Sequence, residues 1–126
     1  MGAIEQRRYD LEDRLLDYAA QIIRLTDALP RSRAASHVAD QLLRSGTAPL
    51  SNHGEAQAAE SADDFIHKLS IVLKELKESR RWLRLIEKAR FLREVRLVDS
   101  LLTETEELIR IFGASIRTAR ARKGQR

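Results

Sequence analysis

The chain has 126 residues, room for one ordinary domain but short for two independent cores. Core-forming residues make up 43% and charged residues 33%, a balance that excludes disorder and a membrane span, and the formal net charge is +4. The absence of cysteine excludes disulfides, zinc–thiolate sites, iron–sulfur clusters and thiol nucleophiles. Five Gly and two Pro punctuate a sequence dominated by Ala, Leu, Arg and Glu, so the expected class is all-α. The first residues carry charge where a signal peptide would be apolar, which makes the cytoplasm the expected location, with no membrane association.

The first amphipathic stretch follows Asp10, an expected N-cap, and places Leu11, Leu15, Tyr18, Ala19, Ile22 and Leu29 on one stripe. Leu16, Ala20 and Ile23 widen that face. Pro30 ends the run, predicting a helix over about residues 10–29. The second stretch starts at Ser32 and runs through Ala35, Val38, Ala39, Leu42 and Leu43. Gly46, Pro49 and Gly54 then leave two readings open: a loop after Arg44, or a kinked continuation through Ala59.

Ser61 and Asp64 have capping-box spacing, and Phe65, Leu69, Val72, Leu73, Leu76, Leu83 and Ile86 follow on one side. They predict a third helix over 62–89. After a connection at 89–95, Leu101, Leu102, Thr105, Leu108, Ile109, Phe112 and Ile116 predict a fourth, ending near Arg120. Short links make consecutive helices neighbours, so the expected fold is an antiparallel up-down-up-down four-helix bundle over residues 1–121, with 122–126 a disordered basic tail. Leu15, Ile22, Leu42, Leu69, Leu76, Leu83, Leu108 and Phe112 are its expected core.

These pieces resemble a bacterial family, the four-helix-bundle proteins encoded in 23S ribosomal RNA intervening sequences and their free-standing relatives. The likeness rests on Tyr9-Asp10-Leu11, Leu29-Pro30, Gln41-Leu42-Leu43-Arg44-Ser45 and Asn52-x-x-Glu55. More specific are Glu75-Leu76-Lys77-Glu78-Ser79 leading into Trp82-Leu83-Arg84-Leu85, and Glu107-Leu108-Ile109-Arg110-Ile111-Phe112 leading to Ile116-Arg117-Thr118. The resemblance implies that helix two continues past Gly46, bent at Pro49. It also implies a ring-shaped homo-oligomer, often a pentamer, as in the similar accessory proteins of diversity-generating retroelements, which bind nucleic acid and a reverse transcriptase through a basic surface. His53-Gly54 inside the Asn-x-x-Glu segment, and Ala56 where glycine is common, depart from the family pattern. No enzymatic activity is implied.

The residues themselves offer little catalysis. Asp64-x-x-His67 has the spacing of half a di-iron site, but neither His37 nor His53 supplies the second acid-x-x-His, so no metal or other cofactor is expected. His67 is read instead as a surface residue supported by Asp63 or Asp64. Adjacent acids such as Asp63-Asp64 and Glu106-Glu107 point about 100° apart and form no dyad. Ser51, His53 and Glu55 are near one another in sequence, but a triad also needs an oxyanion pocket and a positioned base, and Gly46 and Gly54 are isolated and form no phosphate loop. Asn52 and Glu55 are expected to satisfy backbone groups freed by Pro49, and Gly113 to be a packing notch.

Charge distribution is the strongest functional signal. Arg80, Arg81, Arg84, Lys88, Arg90, Arg93 and Arg96 face only Glu87 and Glu94 in their segment, and Arg117, Arg120, Arg122 and Lys123 lie in an acid-free C-terminus. Clustered arginines neutralise phosphates and displace counterions, so these are candidate contacts to DNA or RNA. Trp82, beside the buried stripe, is read either as a core-edge residue or, with Leu85, as a candidate subunit contact. The leading expectation is a non-enzymatic homo-oligomer that binds nucleic acid. The alternative is an assembly or adaptor protein that meets another protein.

Overall fold

A computed structural model describes residues 3–125, with side chains from Asp10 to Gln125; Met1, Gly2 and Arg126, and the Tyr9 side chain, lie outside the described residues. Four helices follow in chain order: α1 (Ala3–Ala28), α2 (Arg33–Gln57), α3 (Ala62–Ala89) and α4 (Arg96–Gly124). Each packs on its sequence neighbours and α1 closes the bundle against α4. This is the expected all-α four-helix bundle. All eight expected core residues are buried, with Ile22, Leu42, Leu76, Leu83, Leu108 and Phe112 at 0% exposure.

Two boundaries differ from the sequence reading. Asp10 lies inside α1, which begins at Ala3, so it is no N-cap. Residues 122–124, expected to be disordered, continue α4. Ala119 and Ala121 favour the helix, nothing breaks it before Gly124, and Lys123 pairs with Asp63 at the start of α3. The Lys123–Asp63 pair joins the end of one helix to the beginning of its neighbour.

Helix α2 passes without a break through Gly46, Pro49 and Gly54, so the continuous reading holds and the loop reading falls. The reason is burial in phase. Ala35, Val38, Leu42, Ser45, Pro49, His53 and Ala56 are all buried, at steps of three and four that continue across the proline. Pro49 removes one helical donor, but the face it belongs to stays packed. Gly46 permits a close approach of α2 to α1: a Cβ there would stand 2.7 Å from Ile22. Gly113 is no packing notch, since a Cβ would meet only the Arg117 guanidinium at 3.5 Å.

Inside the apolar core sits one hydroxyl from each helix: Tyr18, Ser45, Ser79 and Thr105, all at most 1% exposed. Thr105 donates to the Leu101 carbonyl at 2.6 Å, which leaves its oxygen to accept from the Tyr18 phenol, also at 2.6 Å. Ser79 Oγ lies 2.9 Å from both Ser45 Oγ and the Glu75 carbonyl. Burial pushes the Tyr18 phenol up to about 12, so it remains a neutral donor.

Capping is local. Ser32 accepts from the Ala35 N–H at 3.2 Å and Ser61 from the Asp64 N–H at 3.0 Å. Arg90 ends α3 in the left-handed region, φ 55°, a position where a non-glycine residue is strained.

Candidate functional site

Helix α3 carries two faces with the same spacing. Leu69, Val72, Leu76, Ser79, Leu83 and Ile86 point inward and are buried. Lys74, Lys77, Arg81, Arg84 and Lys88, also at alternating steps of three and four, are all exposed. Such steps keep side chains on one line, so the five cations form a row about 21 Å long at 1.5 Å rise per residue. None of them meets a carboxylate at salt-bridge distance among the described residues.

Helix α4 broadens one end of the row. Arg117 and Arg120 line a groove with Lys74, Lys77 and Arg81, floored by Gly113 and Ile116, and no acidic residue borders it. At the other end Arg81, Arg84, Lys88 and Arg90 surround a second hollow beside Leu85, with Glu87 its only acid. Arg81 lines both, so the two hollows form one basic lane along α3.

The residues expected from sequence divide accordingly. Arg81, Arg84, Lys88, Arg90, Arg117 and Arg120 line the lane. Arg80 does not: it turns to α4, with Nη1 3.3 Å from Glu106. Arg96 lies 3.8 Å from Glu94, Arg93 is exposed in the α3–α4 connection, Arg122 is exposed near the end of α4, and Lys123 is held by Asp63. Lys74 and Lys77 were absent from the sequence-derived set. Their signal was phase rather than local density, because they precede the arginine-rich run yet continue its outward row.

Trp82 occupies the core edge, half-buried against α2. Its ring meets the His37 ring edge-on at 6.1 Å, and its Nε1 lies 3.4 Å from Glu78. Glu78 in turn pairs with Arg44, whose other nitrogen reaches Glu75 at 3.1 Å. Arg44 thereby compensates the buried Glu75 carboxylate. Leu85 stands 43% exposed at the basic end of α3.

The polar residues considered for catalysis are scattered. Ser51 donates to the Ala48 carbonyl at 3.2 Å, Glu55 takes Lys68 at 3.0 Å, and His53 is only 2% exposed. Glu55 therefore serves an ion pair to α3 and not the backbone beside Pro49. His53 packs edge-on to Phe112 at 6.0 Å, and its Nδ1 has no hydrogen-bond partner. Burial lowers its pKa, outweighing the attraction of Glu12, so the ring is held neutral. His67 is exposed, with no hydrogen bond to Asp63 or Asp64. Among the described residues no group of three or more His, Asp or Glu side chains is placed to hold a metal ion, and no helix is long and apolar enough to cross a membrane.

The fold and its surface define a four-helix bundle with a polar interior layer and a basic outer lane. The profile of the 23S rRNA-intervening sequence proteins matches residues 8–114, and the chain belongs to that family. It is similar to a crystal structure of a protein of unknown function from the S23 ribosomal protein family of Bacteroides thetaiotaomicron VPI-5482. The two share 30% identity and a TM-score of 0.79, over 87% of this chain and 97% of the other. No curated protein matches the chain.

Proposed function

We propose that the protein is a non-enzymatic helical module that binds nucleic acid through the outer lane of α3 and α4. The observation that carries this reading is the acid-free groove in which Lys74, Lys77 and Arg81 of one helix meet Arg117 and Arg120 of the next. Five long cations converging without internal carboxylates repel one another, and a polyanion relieves that repulsion while releasing its counterions. The residues with acid–base potential sit elsewhere and are engaged structurally or lack partners for turnover. The cysteine-free composition suits a reducing cytoplasm.

Self-association belongs to the same proposal. Leu16 and Ile23, seven residues apart on α1, are 53% and 46% exposed, and cover by further copies of the chain removes that apolar surface from water. A closed ring such as a pentamer would repeat the basic lane around the assembly and add avidity to modest contacts. Light scattering checks this part: a monomer mass at micromolar protein refutes it, and a dimer refutes only the ring.

The test of the binding reading is titration of DNA and RNA across salt concentrations with the native chain and with Lys74, Lys77, Arg81 and Arg84 replaced by Ser. Binding at low salt that weakens in the variant is the expected result. If the native protein binds no nucleic acid at low salt, the reading fails and an adaptor that meets an acidic protein surface takes its place.

A further inference from the structure

The shape of the lane bears on which kind of nucleic acid it takes, an inference that rests on the binding reading above. Lys74, Lys77, Arg81, Arg84 and Lys88 form one straight row, and only near Lys74–Arg81 does a second row exist, made by Arg117 and Arg120. On the other flank of α3, Glu75 and Glu78 are held by Arg44 of α2, with Glu75 buried. Beyond that second row there is one cationic track, and on the α2 flank the charges beside it are already paired.

A duplex fits such a track poorly. One turn of B-DNA takes about 34 Å, so over the roughly 21 Å of the row each strand winds through more than half a turn and leaves the line. On the α2 flank its second strand would meet the Arg44 ion pairs with Glu75 and Glu78 in place of a row of unpaired cations. A single strand has no such winding imposed on it: its sugar–phosphate torsions let it lie straight, with a phosphate near each successive cation.

The surroundings also decide how the strand would lie. Unpaired bases are usually held by stacking on aromatic rings. The aromatic ring closest in sequence to the row, Trp82, packs against His37 on α2. Leu73 and Leu85 border the grooves as aliphatic side chains and give no stacking platform. We infer that the α3 lane holds single-stranded nucleic acid by its sugar–phosphate backbone, with the bases turned outward and unread.

The experiment uses the full chain and three fluorescent probes of equal length: oligo-dT, oligo-rU and a mixed-sequence duplex. Five phosphate contacts predict a slope of log K against log salt of about −3.5 for the single strands, from about −0.7 per phosphate. The two single strands should bind within a few-fold of each other and more tightly than the duplex. Lys77→Glu with Arg81→Glu should weaken single-strand binding by tenfold or more and shallow the slope by about 1.4, from two lost contacts. Arg24→Glu, an exposed change on α1, should leave both unchanged, and circular dichroism checks that each variant keeps its helices.

Tighter binding to the duplex, or a slope untouched by the α3 substitutions, overturns the single-strand lane while leaving nucleic-acid binding in place. A strong preference for oligo-rU over oligo-dT also overturns it, because the 2′-hydroxyl is then being read. If no probe binds at low salt, the underlying function fails as well.

Discussion

The two faces of α3 have the same period and opposite content. Leu69, Val72, Leu76, Leu83 and Ile86 on the inside and Lys74, Lys77, Arg81, Arg84 and Lys88 on the outside both advance by steps of three and four. The inner row is stabilised by what it touches. The outer row touches no acid among the described residues, so apart from Lys88 near the negative end of the helix dipole its charges have no partner in the fold. The proposed nucleic-acid contact uses this outer phase as the core uses the inner one.

That contrast can be broken most sharply from the inside. Leu76→Ala empties a fully buried position and should cost about 2 to 5 kcal/mol in urea unfolding. Gly46→Ala sets two effects against each other. Helix propensity favours alanine by up to about 1 kcal/mol, but its Cβ would collide with the buried Ile22, and overpacking costs about 1 to 3 kcal/mol. Net destabilisation is expected, read as a lower melting temperature.

His53 supplies a pH test of the interior. Its pKa is lowered in the folded state, so below the ordinary histidine value of about 6.5 the unfolded chain binds more protons. Stability should be full above that pH and fall as the pH drops below it. Urea midpoints at neutral and mildly acidic pH measure the loss, and His53→Leu should shrink the difference between them.

The outer face should give the smallest effect on stability. Lys77→Ser or Arg84→Ser is expected to change unfolding free energy by less than about 0.5 kcal/mol, because neither side chain is buried or paired. A larger loss would mean that the row supports the fold, and the contrast between the faces would collapse.

The fold was legible because apolar spacing is a local signal: every expected core leucine is buried. The course of α2 past Arg44 was less so, since Ser45, Gly46, Pro49 and His53 occupy core positions without being apolar by composition, and only the family resemblance favoured continuity. At the candidate site, charge density found Arg81, Arg84 and Lys88 but also took in Arg80. Its partner Glu106 lies on another helix, 26 residues away, so sequence proximity gives no sign of the pair. Lys74 and Lys77 escaped for the opposite reason, since Glu75 and Glu78 beside them dilute the local charge although they face α2. Phase around the helix separates such neighbours; counting along the chain does not.

The hydroxyl layer has a consequence for the outside of the molecule. Sliding α1 by one turn would carry Tyr18 away from Thr105 and strand its phenol among leucines, at about 1 to 3 kcal/mol, and sliding α2 would part Ser45 from Ser79. The layer therefore acts as an index mark that fixes the longitudinal setting of α1 against α4 and of α2 against α3. Because Ser79 lies between Lys77 and Arg81, its mark sets the height of the basic row against α2, while Thr105 sets α4, with Arg117 and Arg120, against α1. The charges that each of these helices carries on its outer face are thus gauged from the buried centre of the protein.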